Sequence, residues 1–225
     1  MRLYAITDAA RLSPPAQSAE DALIALASQW AAGGVEVIQI RERHLTARAL
    51  ESLACGIVAA VREAQVGRAP VVLTKVLING RADVAIATGA DGVHLPGTGA
   101  TTPAEVRHLY GECARNPPIL SVACHSVADV ERARDNGATM ALFAPVFGKV
   151  LRRDDHEPIS ASGFLPGVGL AELSTACQAA GSMPVFALGG VTLENAPSCI
   201  EAGAAGVAAI RLFQSAEWPS LRWQL

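Results

Sequence analysis

Apolar residues in this chain gather into short runs, and stretches with helical spacing lie between them. The passage from a helical stretch into the next run carries one phrase four times: small residues, a glycine, then the apolar run. It reads Ala31-Ala32-Gly33-Gly34-Val35-Glu36-Val37-Ile38 and Ala87-Thr88-Gly89-Ala90-Asp91-Gly92-Val93-His94. It returns as Asn136-Gly137-Ala138-Thr139-Met140-Ala141-Leu142-Phe143 and as Ala202-Gly203-Ala204-Ala205-Gly206-Val207-Ala208-Ala209. Glycine just past a helix supplies a left-handed cap, and the residues after it enter a buried strand. A further apolar run lies between copies, at 3–7, 71–78, 119–122 and 185–188. Eight strands alternating with helices follow, the pattern of an α/β fold, a single (β/α)8 TIM barrel spanning 1–225. In that architecture chemistry sits at the carboxyl ends of the strands.

The first helix is expected over 18–32, with Ala22, Ala25, Leu26 and Gln29 on one face. Thr102, Pro103 and Glu105 form a helix start in which the side chain at the third position returns to the cap. Ser126 opens the fifth helix. After the sixth strand, a polar, Gly/Pro-rich segment at about 144–167 is too long for an ordinary turn and reads as a lid.

Composition narrows the function classes. Half of the chain is hydrophobic (51%) and the formal net charge is −3, which leaves no basic field for nucleic acid. No apolar run reaches membrane-spanning length and no leader precedes the first strand, so a cytoplasmic protein without membrane contact is expected. The five cysteines are scattered with no CxxC pair, and they read as small buried residues of a reducing compartment. Cys124 stands out for its place beside a strand end. Trp218 and Trp223 are expected to pack on the barrel bottom or at a subunit interface, which leaves a homodimer open.

The candidate chemistry lies at the strand exits. The second strand leaves through Gln39-Ile40-Arg41-Glu42-Arg43, and alternation sends Gln39, Arg41 and Arg43 to one side and Glu42 to the other. These groups are either rim salt bridges or a clamp for an anion, which two guanidinium groups suit. Asn79 after the third strand is a ligand group or a turn former and helix cap. His125, just past the fifth strand, is the acid-base candidate, because an imidazole both takes and gives a proton near neutrality. The alternative makes it a cap or a space filler. His94 lies inside its strand and reads as core or as support for the site. Lys149 is the lid residue nearest the barrel. Gly189 and Gly190 after the seventh strand, with the amides at Ile210 and Arg211 after the eighth, form a phosphate cradle of the kind barrels use. No two histidines or carboxylates share a metal-ligand spacing, so neither metal nor cofactor is expected.

Together these residues resemble the thiamine phosphate synthase and TenI superfamily over nearly the whole chain, from Leu3 to Phe213. The markers are Tyr4-Ala5-Ile6-Thr7-Asp8, Gln39-Ile40-Arg41-Glu42-Arg43, Ala90-Asp91-Gly92-Val93-His94-Leu95, Ala144-Pro145-Val146-Phe147 and Ala187-Leu188-Gly189-Gly190-Val191-Thr192. The resemblance implies one of two activities. A synthase joins a pyrimidine diphosphate to a thiazole phosphate, and its departing diphosphate needs Mg²⁺ held by carboxylates. The synthase pattern places acids after the third strand and in the loop after the fourth. This chain reads Asn79-Gly80 and Thr98-Gly99 there, and Arg43 replaces a lysine. The TenI branch instead carries Ile-Arg-Glu-Arg, Asn-Gly-Arg, Leu-Pro and a His-Ser pair, matched by Ile40 to Arg43, Asn79 to Arg81, Leu95-Pro96 and His125-Ser126.

That branch implies thiazole tautomerase activity, in which a thiazole phosphate carboxylate tautomer is aromatised by proton transfer and nothing leaves. On that reading His125 shuttles the proton and Arg41, with Arg43 or Lys149, meets the carboxylate. Gly167, Gly189, Gly190 and the amides at Ile210-Arg211 hold the phosphate. Two alternatives stand beside it. One is a synthase that recruits Mg²⁺ through substrate oxygens or the lid acids Asp154, Asp155 and Glu157. The other is a non-catalytic, regulatory binder of thiazole phosphate. The lid is longer than in either branch, and Arg211 stands where a serine is usual.

Overall fold

In a computed structural model, which describes residues 1–12, 18–66, 73–97, 99, 101–113, 116–150 and 164–223, eight parallel strands close into a barrel. In chain order the strands are β1 (Arg2–Ile6), β2 (Val37–Ile40), β3 (Lys75–Asn79), β4 (Gly92–Leu95), β5 (Ile119–Cys124) and β6 (Met140–Phe143). A small antiparallel hairpin, β7 (Lys149–Val150) and β8 (Phe164–Leu165), interrupts the series before β9 (Val185–Leu188) and β10 (Gly206–Ala209). The ring runs β1-β10-β9-β6-β5-β4-β3-β2. The helices are α1 (Ala19–Ala32), α2 (Ala47–Gln65), α3 (Ala82–Thr88), α4 (Pro103–Cys113), α5 (Val127–Asp135), α6 (Leu170–Ala180), α7 (Ala196–Glu201) and α8 (Arg211–Gln214). The expected (β/α)8 barrel is the observed fold.

The recurring glycine phrase has the backbone role its chemistry requires. Gly34, Gly89, Gly137 and Gly203, one per copy, sit at φ of 83°, 65°, 77° and 101°. A side chain at such angles clashes with its own carbonyl, so glycine turns the chain from helix into strand without strain. Thr102 caps α4 as the sequence predicts. Its Oγ1 accepts from the Glu105 amide, and the Glu105 carboxylate accepts from the Thr102 amide at 2.7 Å. Ser126 caps α5 by accepting from the Asp129 amide.

Several expected boundaries and faces move. The third strand starts at Lys75, because β2 pairs with it only from Val37 opposite Lys75. Leu73 is exposed, and 71–72 lie outside the described residues. β5 runs on to Cys124, because β6 still offers Phe143 as its partner. The buried face of α1 is Leu23, Ala27, Trp30 and Ala31, one step round the helix from the face expected. Trp30 anchors it, donating its indole N–H to the Phe213 carbonyl at 2.9 Å. Cys55 and Cys113 are exposed rather than buried. Trp218 packs beside Gly33 at the end of α1 and against the Phe213 ring. The Trp223 side chain and residues 151–163 of the expected lid, Asp154, Asp155 and Glu157 included, lie outside what is described.

The core has two shells. Outward-facing strand residues pack under the helices. Inside the barrel a separate apolar cluster of Tyr4, Ile6, Val37, Leu77, Met140, Leu142, Phe186 and Ala208 fills the lumen. Among the described residues no helix is long and apolar enough to cross a membrane.

Candidate active site at the barrel mouth

Strand alternation decides which side chains meet at the mouth. On the β1–β5 half, polar groups stand at lumen positions inside otherwise apolar runs. The Tyr4 hydroxyl is 3.0 Å from Gln39 Oε1 and 3.3 Å from Ser121 Oγ. His94 Nδ1 is 3.0 Å from Ser121 Oγ, and Gln39 Nε2 donates to Asn79 Oδ1 at 3.0 Å. His94 pairs in register with both Ser121 and Asn79. The opposite half presents Leu142, Phe186, Leu188, Ala208 and Ile210. A ligand seated above this floor meets hydrogen-bonding groups on one side and hydrocarbon on the other.

Burial sets the protonation of that floor. His94, 7% exposed, is pushed down to about 3, first by burial and then by the charges of Arg41 and Arg43. Its imidazole is therefore neutral at any working pH. Burial raises the Tyr4 hydroxyl as well, and the Ser121 hydrogen bond only partly offsets it.

The arginines rise from the exit of β2. Arg41 is half-buried and Arg43 exposed, and both charges reach His94. The Arg41 amide donates to Thr7 Oγ1 at 2.9 Å, which ties the exits of β1 and β2. Glu42 turns the other way, as alternation requires. It is 4% exposed and accepts from the Ala9 amide at 3.0 and 3.2 Å. Burial raises its carboxyl above the usual range, and Thr7 and the Ala9 amide only partly oppose this. Glu42 is thus an anchor for the loop after β1.

His125 stands one residue beyond β5, exposed at the rim. Its Nδ1 lies 2.7 Å from the Ala144 carbonyl oxygen, the first residue past β6. A carbonyl only accepts, so Nδ1 carries the proton and Nε2 holds the free lone pair of the neutral ring. The His125 amide donates to Asp129 Oδ2 at 2.9 Å, which fixes the backbone under the ring. Burial works to raise the Asp129 carboxyl, but the amides of His125 and Ser126, the Ser126 hydroxyl and the Arg132 charge hold it below the usual range. His125 is not the cap of α5, because Ser126 is.

Asn79 closes the lumen side of β3. It is a strand residue, and Arg81 stands at the cap position of α3 without a side-chain capping hydrogen bond. The reading of Asn79 as a helix cap falls away, since its Oδ1 is taken by Gln39.

The phosphate candidates converge. Gly189 and Gly190 follow β9 at φ of 96° and 65°. A Cβ on Gly190 would meet Phe147 Cβ at 2.7 Å, and one on Gly189 would meet Pro145 Cα at 2.8 Å. Gly167 packs as closely on the Val146–Phe147 backbone, where a Cβ would clash with the Val146 carbonyl. The amides of Val168 and Gly169 donate to Pro145 and Val146, and Phe147 donates to Gly189. The exits of β6 and β9 and the entry to α6 are thus stitched into one backbone cradle. Ile210 and Arg211 stand beside it at the start of α8, with Arg211 exposed. Lys149 lies in β7, and its side chain is outside what is described.

Among the described residues, carboxylates for a divalent cation do not gather at this mouth. The two positions where the synthase pattern places acids are Gly80, at the exit of β3, and Gly99, in the loop after β4. Asp83 pairs with Arg81 in α3, and Asp91 accepts from Lys75 and the Val76 amide at the opposite end of the strands. Among the described residues no three His, Cys, Asp or Glu side chains group as metal ligands. These residues do not fit a Mg²⁺ site built by the protein. Cys124 is fully buried and faces the helices, and burial pushes its thiol up to about 12, so it is inert.

Sequence reasoning missed Tyr4, Ser121 and Glu42. The first two were detectable as polar residues at inward positions of otherwise apolar strands. The anchoring role of Glu42 depends on the path of the β1 loop, which no local pattern encodes.

The family model described as thiamine monophosphate synthase matches residues 3–213. A putative thiamine-phosphate synthase of Geobacter sulfurreducens is 35% identical over 213 residues, covering 92% of this chain and 84% of the relative. A thiamine-phosphate synthase of Methanoculleus marisnigri is 38% identical over 187 residues, covering 82% and 77%. Among solved structures, thiamine phosphate pyrophosphorylase from Pyrococcus furiosus superposes with a TM-score of 0.73 at 22% identity, covering 98% of this chain and 91% of that one. The barrel, its mouth and these matches place the chain in the thiamine monophosphate synthase family.

Proposed function

We propose that this member of the family is a thiazole tautomerase, which aromatises a thiazole phosphate carboxylate tautomer by moving one proton. The observation that carries the reading is the rim itself. The two acid positions of the metal-dependent reaction are Gly80 and Gly99, while an imidazole with a tethered Nδ1, and with Nε2 unbonded among the described residues, stands at the neighbouring exit of β5. Proton transfer breaks one C–H bond and makes another, and no leaving group needs neutralising.

The chemistry follows from the placement. The glycine cradle takes the phosphate, and Arg41, with Arg43 beside it, takes the carboxylate. His125 Nε2 accepts the proton and returns it to the second carbon. The Ala144 carbonyl keeps Nδ1–H in place through both steps, so the ring turns over no tautomer of its own. Gain of aromaticity supplies the driving force. A positioned acid-base group contributes roughly 10²–10⁴-fold, enough for a reaction that is downhill once the proton moves.

The second reading is thiamine phosphate synthesis, and the names of the relatives favour it. One assay separates the two. The protein is incubated with a pyrimidine diphosphate and a thiazole phosphate, with and without Mg²⁺. The tautomerase reading expects no thiamine phosphate in either tube, and Mg²⁺-dependent product would give the assignment to the synthase.

A further inference from the structure

The polar chain in the barrel floor has a direction, and that direction reaches the mouth. Gln39 fixes it. Its Nε2 donates to Asn79 Oδ1, so its Oε1 faces Tyr4 as an acceptor only. The single hydroxyl proton of Tyr4 is then spent on Gln39 at 3.0 Å. Tyr4 Oη can only accept on its other side, so the Ser121 hydroxyl donates to it at 3.3 Å. Ser121 Oγ is left to accept from His94, at 3.0 Å, which puts the proton of the neutral imidazole on Nδ1. At the far end Asn79 has its oxygen occupied and presents its Nδ2 donors from a half-buried strand end. One reversed arrangement satisfies the same five groups. There Asn79 offers its oxygen to the mouth and His94 carries its proton on Nε2. The positive charges of Arg41 and Arg43 beside His94 favour a lone pair on the ring nitrogen that Ser121 does not hold.

We propose that Tyr4, Ser121 and His94 are positioning residues that hold the Asn79 amide with its N–H groups toward the ligand, so that Asn79 joins Arg41 in selecting a carboxylate. The relay rests on the tautomerase reading only for the identity of that ligand. A carboxylate accepts and never donates, so a donor-only amide beside a guanidinium discriminates it from an amide or hydroxyl substituent at the same place. The charges of Arg41 and Arg43 thus act twice, once on the ligand and once, through His94, on the orientation of Asn79.

The test combines a signal from the ring with a binding measurement. Protein with ¹⁵N-labelled histidine reports the tautomer of each ring from its two nitrogen shifts. Wild type is expected to show His94 as the Nδ1–H form. Tyr4→Phe keeps the volume and cuts the chain in the middle, so His94 is expected to become a mixture of both forms. The same variant is expected to bind a thiazole phosphate carboxylate roughly tenfold more weakly, while its affinity for the thiazole phosphate lacking the carboxylate stays unchanged. His94 found as Nε2–H in wild type overturns the proposal. So does a Tyr4→Phe protein with the wild-type tautomer and wild-type selectivity. Failure of wild type to bind either thiazole removes the tautomerase reading instead, and the nitrogen shifts alone then decide the relay.

Discussion

The ring of His125 is tethered to the Ala144 carbonyl, Nδ1 to oxygen at 2.7 Å, across the gap between the ends of β5 and β6. The bond fixes which nitrogen is basic, which matters more to a proton shuttle than proximity alone. His125→Ala is expected to lower kcat for tautomer conversion by roughly 10²–10⁴-fold. Because the side chain is exposed, its loss should leave the melting temperature within about 2 °C of wild type. Steady-state kinetics and a thermal melt on the same preparation check both. A variant with wild-type kcat would place the proton transfer elsewhere.

Glu42 is expected to make stability fall as pH rises. Its folded carboxyl lies above the usual value, chiefly through burial, so the folded state holds its proton more tightly than the unfolded chain. Its contribution is full below the unfolded value and is lost as pH climbs through the folded one. Glu42→Gln keeps an acceptor for the Ala9 amide and removes the buried charge. Its melting temperature relative to wild type should therefore be higher at pH 7 than at pH 4. A difference that runs the other way would show that the ionised carboxylate stabilises the β1 loop.

Gly190→Ala should damage the cradle twice. Its φ of 65° strains any side chain, and the new Cβ would lie 2.7 Å from Phe147 Cβ and 2.9 Å from the Gly148 carbonyl. The strain amounts to about 1–3 kcal/mol, or roughly 2–4 °C of melting temperature per kcal/mol at this size. Inorganic phosphate is expected to raise the melting temperature of wild type and to lose that effect in the variant. An equal phosphate shift in both proteins would move the anion site away from β9.

The barrel was legible because its signals are local and repeated. Each glycine phrase encodes a left-handed turn, and β4, β9 and β10 begin and end where their apolar runs do. Among the strands that shifted, β3 and β5 take their ends from a partner's register rather than from their own residues. At the site, His125, Arg41 and the two glycines could be found because each lies just past a strand. The links of the floor could not, because Tyr4 and Ser121 are 117 positions apart and meet only through barrel closure. Spacing also missed the one-residue rotation of the buried face of α1, where Trp30 is drawn inward by the Phe213 carbonyl of α8.

Placing acids at Gly80 and Gly99 should create a cation site that these two positions do not offer. A Cβ on Gly80 would meet nothing within 4 Å, so Gly80→Asp carries only the strain of its φ of 68°, about 1 kcal/mol for a residue type that visits this region. Gly99→Asp must displace the Pro96 ring, 2.9 Å away. The double variant is expected to bind Mg²⁺ by calorimetry where wild type gives no heat. Equal binding by both proteins would mean that the cation is held by other groups.

The most direct measurement mixes metal-stripped protein, in the presence of EDTA, with the thiazole phosphate carboxylate tautomer and follows the absorbance of the aromatic product. Many turnovers per protein molecule, at a rate that Mg²⁺ does not change, are the expected result. No acceleration over buffer, together with diphosphate release once Mg²⁺ and the pyrimidine diphosphate are supplied, would contradict it.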